Sequence, residues 1–325
     1  AVVPEGVDQR VLDALAARGV KEVKFYKKGD ETDRAAKIGE FDNLFFQGNR
    51  GQIAFGQDIT QVPSIITLFK GADLSTWAID IPPIAKKLTD AFWPGPLTLV
   101  LPLRPDHGIA AIVTAGLATI ALRMPAHPAM QDVIHAAGRP LAAPSANASG
   151  TISPTRAAHV ARTLNGRIPL ILDGGPTDMG LESTIVAVEG DKMRLLRPGP
   201  IDLSLQLDRS GRIEAPGQLD SHYAPAKPLR LNATSAEADE WLIGFGPMAC
   251  DANLSVRGNL EEAAARLFAC LHEADMAGKP RIAIAPLPLG GLGDAIQDRL
   301  ARAAAQAVPG GRPFGQGRSE EHTSE

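Results

Sequence analysis

The chain has 325 residues, 44% hydrophobic and 22% charged, with a formal net charge of −4. That size suggests two or three domains of a soluble globular protein, and the acidic balance argues against a broadly basic nucleic-acid-binding surface. Two cysteines, Cys250 and Cys270, make neither a disulfide framework nor a CxxC metal site, and no apolar run approaches the roughly 20 residues that span a bilayer. The opening Ala1-Val2-Val3-Pro4-Glu5 does not read as a signal peptide, so a cytoplasmic setting is expected.

In chain order, the pattern predicts a helix over Asp8 to Arg18 and a short strand over Glu22 to Tyr26. Apolar runs at Leu44-Phe45-Phe46 and Ser64 to Phe69 follow. From Ile81 the texture shifts to Ala, Leu, Pro and Arg. An amphipathic helix from Ile84 to Phe92 is stopped by Trp93-Pro94-Gly95-Pro96. Strands are expected at Leu97 to Leu101, Thr119 to Leu122, Leu141 to Ala143 and Leu170 to Leu172. Helices are expected at Pro128 to Ala137 and Arg156 to Leu164. Ser183 to Val188 and Met193 to Leu196 read as paired strands around Glu189-Gly190-Asp191.

A Pro- and Gly-containing connector over 207–227 separates this part from a second α/β rhythm over 228–308. There, strands at Leu229 to Leu231, Trp241 to Phe245 and Arg281 to Ala285 alternate with helices at Leu260 to Ala277 and Asp294 to Ala307. Residues 309–325 are polar and Gly-rich and are expected to be disordered; the last nine fit no element of the fold.

The chemistry concentrates in Pro144-Ser145-Ala146-Asn147-Ala148-Ser149-Gly150 and the following Ser153-Pro154-Thr155. A polar loop between a buried strand and a helix is where α/β proteins place ligand-binding groups, and hydroxyls, an amide and backbone N–H groups suit an anionic, oxygen-rich ligand. The same text also reads as an ordinary helix-capping loop. Gly290-Gly291-Leu292-Gly293 lacks a dinucleotide fingerprint and reads as a structural turn. His127 and His135 have no third partner nearby and read as ordinary residues, so no metal site is expected. Arg123 and Arg197 each close a predicted strand and could present a fork to a carboxylate or phosphate.

Five motifs occur in one order: Phe92-Trp93-Pro94-Gly95-Pro96-Leu97-Thr98, Leu122-Arg123-Met124-Pro125, the Ser145 loop, Glu182-Ser183-Thr184-Ile185-Val186 and Leu196-Arg197-Pro198-Gly199-Pro200-Ile201. Together they resemble the YrdC-type L-threonylcarbamoyladenylate synthases. The likeness continues through Ala215-Pro216-Gly217 and His222-Tyr223-Ala224-Pro225 into the extra C-terminal domain of the longer members, and covers about 81–307. It implies an α/β fold: a YrdC-like twisted mixed sheet with helices over 81–206, plus a smaller Rossmann-like C-terminal α/β domain. It also implies a reaction in which L-threonine, bicarbonate and ATP give threonylcarbamoyl-AMP and pyrophosphate. A partner transferase then moves the threonylcarbamoyl group to a tRNA adenosine. By position, Thr119, Ser145, Asn147, Ser153 and Arg197 correspond to nucleotide contacts. Arg123, Ala143 and Ser183 correspond to threonine contacts, and His222 and Tyr223 to a linker folded over the site. The resemblance implies no enzyme nucleophile. Catalysis is by positioning and charge stabilisation, with Mg²⁺ carried largely on the ATP phosphates.

The family's opening motif, Pro-Thr-(Asp/Glu)-Thr-Val-Tyr-Gly-Leu, and its Lys-x-Arg and Asn-Pro-Leu elements do not appear in residues 1–80. Gln61-Val62-Pro63-Ser64 does not match them either. Those residues therefore read as foreign to the family. The reading favours a fusion of an unrelated segment with an incomplete synthase over a divergent member with a replaced N-terminal part. The alternative to full activity is a catalytically impaired nucleotide- or RNA-binding remnant.

Overall fold

A computed structural model describes Val23–Phe25 and residues 63–305, apart from 107, 149, 169 and 219–221. The expected helix over Asp8 to Arg18, the run Leu44-Phe45-Phe46 and the tail over 309–325 lie outside the described residues.

The central element is a six-stranded mixed sheet in the order β5-β2-β4-β3-β7-β8. Its strands are β2 (Ile65–Thr67), β3 (Leu97–Pro102), β4 (Thr119–Arg123), β5 (Leu141–Ala142), β7 (Thr184–Glu189) and β8 (Lys192–Arg197). β2 runs parallel to β4, and β3 runs parallel to β7, while the β2–β5, β3–β4 and β7–β8 pairs are antiparallel. The β7–β8 hairpin turns at Gly190, which has φ of +57°. A separate antiparallel pair joins β1 (Val23–Phe25) to β6 (Leu170–Leu172).

Residues 63–80, read from the sequence as part of the foreign segment, supply β2 to the interior of this sheet. β2 takes up the middle of the apolar run Ser64 to Phe69, which the sequence reading noted without assigning it to an element.

Side chains alternate across the sheet, and its two faces differ. Ile66, Leu99, Leu101, Ile120, Leu122 and Val186 pack on one face under α1 (Pro83–Phe92), which buries Ala85 and Leu88. The opposite face carries a smaller cluster of Ile65, Val100, Ala121, Ile185, Ala187, Leu196 and Ala215. By the same alternation that face displays Thr98 on β3 and Thr119 and Arg123 on β4. Ala121 and Ala187 give it a low floor. Three further helices complete this half: α2 (Ala111–Thr114), α3 (Pro128–Ala137) and α4 (Ala157–Leu164).

The C-terminal sheet is fully parallel in the order β11-β10-β12-β9, comprising β9 (Leu229–Arg230), β10 (Glu240–Gly244), β11 (Ala252–Asn253) and β12 (Arg281–Ile284). α5 (Leu260–Met276) and α6 (Leu292–Ala304) pack with it. α5 is capped by Asn259, whose side chain accepts from Glu262 N, and Glu261 and Glu262 complement the positive end of the helix. α6 starts at Leu292, two residues before the expected Asp294. Gly293 permits this, because a Cβ there would lie 2.1 Å from Pro288 O. The fold is therefore the expected mixed α/β sheet with a second, parallel-sheet domain.

The connector is pinned to the central sheet rather than loose. Asp208 and Glu214 both accept from Arg194 on β8, and Ala215 packs on the small-cluster face. Among the described residues, no helix is long and apolar enough to cross a membrane.

Candidate active site on the sheet face

Register brings three expected site residues together. Arg123 stands opposite Thr98, Leu97 opposite Thr184, and Ile185 opposite Arg197. At this end Ser183, which is buried, shares a 2.7 Å hydrogen bond between its Oγ and Thr98 Oγ1. Arg123 donates from Nε to Gly95 O at 3.0 Å. Gly95 has no room for a side chain, since a Cβ would lie 2.2 Å from Phe92 O. Burial, with the charge of Arg197 nearby, lowers the Arg123 pKa to about 10, so it stays cationic at neutral pH. No carboxylate pairs with Arg123 among the described residues.

Arg197 is turned inward. Its Nε and Nη2 donate to Ser183 O at 3.0 and 2.9 Å, Nη2 also reaches Ser183 Oγ at 3.0 Å, and Nη1 donates to Pro216 O at 3.3 Å. This strand-end arginine thereby fixes Ser183 and the connector.

The Ser145 loop begins in the other half of the sheet. Ala143 N donates to Ile65 O at 2.9 Å, level with Ala121 rather than Arg123. Thr119, at the opposite end of β4 from Arg123, is four residues or about 13 Å away. The loop then carries the chain from edge strand β5 to the segment before β7, four strand spacings or about 19 Å away. Ser145 O accepts from Asn147 N. Asn147 is 1% exposed, and its Nδ2 donates to Thr151 O, Thr151 Oγ1 and Ile152 O. Its amide donors therefore brace the loop.

Ser153, at the far end of the loop, donates from Oγ to Glu182 Oε1 at 2.6 Å, and Glu182 Oε2 accepts from Arg299 Nε at 2.8 Å. Burial pushes the Glu182 carboxyl up, but Arg299, Arg197 and these hydrogen bonds more than offset it and hold it at about 2.

In the connector, Tyr223 is 1% exposed and packs between Phe268 and Arg299, whose guanidinium lies 5.3 Å from its ring centre. Burial lowers the His222 pKa to about 4, with Glu182 opposing and Arg197, Arg299 and Arg302 reinforcing. His222 and Tyr223 thus sit at the junction of the two domains. The sequence analysis quoted Glu182 inside a motif without giving it a role and did not single out Arg299. A Glu and an Arg 117 residues apart show no pairing until the fold joins them.

In this two-domain α/β fold, Arg123, which pairs with no carboxylate among the described residues, thus lies beside the hydrogen-bonded hydroxyls of Thr98 and Ser183. Two family models match the chain consecutively. One, described as telomere recombination, covers residues 60–199. The other, described as threonylcarbamoyl-AMP synthase, C-terminal domain, covers 193–305. The threonylcarbamoyl-AMP synthase of Bacillus subtilis is 38% identical over 278 residues, covering 76% of this chain and 80% of that one. The Pyrococcus abyssi enzyme is 35% identical over 277 residues, covering 76% and 81%. A crystal structure of P. abyssi Sua5 complexed with L-threonine matches with a TM-score of 0.71 at 33% identity, covering 79% of this chain and 84% of that one. The chain belongs to the threonylcarbamoyl-AMP synthase family and is a transferase of that family. The matched span begins at residue 60, so Gln61 onward lies inside it, while residues 1–59 lie outside both matches.

Proposed function

We propose that the sheet face binds L-threonine at Arg123 and Ser183 and ATP across the Thr119 half and the Ser145 loop. Threonine, bicarbonate and ATP would then give threonylcarbamoyl-AMP and pyrophosphate in the cytoplasm, for transfer to a tRNA adenosine by a partner enzyme. The observation that supports this most is Arg123, a partly buried cation whose fork meets no carboxylate among the described residues. A bound amino-acid carboxylate would supply the missing charge in a bidentate pair.

The residues act by placement. Thr98 and Arg197 fix Ser183, and Gly95 O fixes the Arg123 plane. The connector helps to keep water from a labile adenylate. Mg²⁺ would enter on the ATP phosphates. Both oxygens of Glu182 are taken by Ser153 and Arg299, so this carboxylate is not offered as a ligand.

The same geometry supports impaired turnover. Arg197 and Arg299 already donate to protein oxygens, and Arg123 is assigned to threonine, so these three arginines are not offered to the triphosphate. The test is pyrophosphate release from ATP with threonine and bicarbonate. Threonine-dependent release at 1% or less of the rate of the B. subtilis relative is expected. Rates equal to that relative would refute the impairment, and release independent of threonine would refute the assignment.

A further inference from the structure

Two helices of the C-terminal domain converge on one residue of the candidate nucleotide loop. His272 of α5 donates from Nε2 to Ser153 O at 3.1 Å, while its Nδ1 accepts from Arg162. On the other side Arg299 of α6, which is fully buried, holds Glu182, and Glu182 accepts the Ser153 hydroxyl proton. Asp298 Oδ2 accepts from Arg299 Nη1 at 2.8 Å and fixes the guanidinium from behind. An ionised carboxylate only accepts, and a serine hydroxyl has one proton. With that proton committed to Glu182, the Ser153 oxygen offers lone pairs alone.

We propose that Arg299 is a positioning residue for nucleotide binding: through Glu182 it holds the Ser153 hydroxyl as a fixed hydrogen-bond acceptor. Such a group suits a donor on the nucleoside part, an adenine amino group or a ribose hydroxyl, and repels a phosphate oxygen. The C-terminal domain is thereby a working part of the nucleotide site. The inference rests on reading Ser153 as a nucleotide contact.

The groups facing Glu182 are Arg299 and Asp298 of α6, Arg197 of β8, Ser153, and His222 and Tyr223 of the connector. Removing Arg299 leaves a buried carboxylate with less compensation, so its pKa rises toward the working range.

The experiment is calorimetric titration of the full chain with ATP and, separately, with inorganic tripolyphosphate. Arg299→Met is expected to weaken ATP relative to wild type, with the deficit deepening at least fivefold between pH 8 and pH 5.5. Comparing variant with wild type cancels the ligand's own ionisation. Arg299→Lys should restore most of the loss. The double variant Glu182→Leu/Arg299→Met replaces the ion pair with apolar groups, a change proteins commonly tolerate. It should lose tenfold or more for ATP and twofold or less for tripolyphosphate. In wild type, weaker binding of ITP than of 2′,3′-dideoxy-ATP identifies the amino group as the donor, and the reverse order identifies the ribose. Equal losses for ATP and tripolyphosphate, a pH-independent deficit, or unchanged ATP binding in the double variant overturns the proposal. Wild-type chain that binds no ATP overturns the nucleotide reading itself, and this proposal with it.

Discussion

Arg123 and Glu182 lie at the same end of the sheet and are treated in opposite ways. Glu182 is compensated on both oxygens, whereas Arg123 keeps its charge beside a second arginine. The histidines at the domain junction follow a third pattern, being buried as neutral rings. His272 is held at about 3 by burial, with His159 and Arg162 adding, and His222 at about 4. Unfolded, each takes up a proton below about pH 6.5. The stability they contribute is intact above that value and is lost as pH falls from 6.5 toward 4, by about 1.4 kcal/mol per pH unit for each ring. Glu182 adds a loss only below its ordinary value of 4.5, down to about 2. The urea midpoint is therefore expected to drop clearly between pH 7.5 and pH 5, and His272→Gln should flatten part of that dependence. A midpoint unchanged over this interval would contradict the neutral-histidine account.

At the scale of elements, the loop before β7 approaches α5 closely. Gly180 has φ of +68°, and a Cβ there would lie 2.2 Å from Ala264 O and 2.5 Å from Ala265 Cα, both helix backbone. Gly180→Ala combines an unfavourable conformation with overpacking, and a loss of about 2–3 kcal/mol is expected by chemical denaturation. A loss under 0.5 kcal/mol would show that the two domains do not press together there. Long periodic segments were legible in the sequence. Pro128–Ala137 falls where the pattern placed it, because a proline at the helix start and Gly138 at its end mark its limits. β2 lies within the apolar run Ser64 to Phe69, which was not assigned to an element, and β11 is an Ala-Asn pair with no apolar signal. The site was legible as residue types but not as a surface. Thr119 and Arg123 share a sheet face only because both sit at odd positions of one strand. The inward turn of Arg197 and the Glu182–Arg299 pair arise from long-range packing that local text does not carry.

Among the described residues, the parallel-sheet domain meets the central-sheet domain at Ser153 and Glu182. The central sheet gathers Thr98 of β3, Arg123 of β4, Ser183 before β7 and Arg197 of β8 at one end, while the parallel-sheet domain fixes Ser153 from two sides. The proposed function puts both substrates on this face. The proposed threonine contacts Arg123 and Ser183 are both described residues. Binding of L-threonine alone therefore tests the assembled site without depending on turnover. Calorimetric titration of wild-type chain and Arg123→Ala with L-threonine is the direct measurement. Saturable one-site binding to wild type is expected, weakened about 10- to 100-fold in the variant, as loss of charged hydrogen bonds implies. Equal affinity in the two proteins, or no binding by a folded wild-type chain, would contradict the assignment of this face.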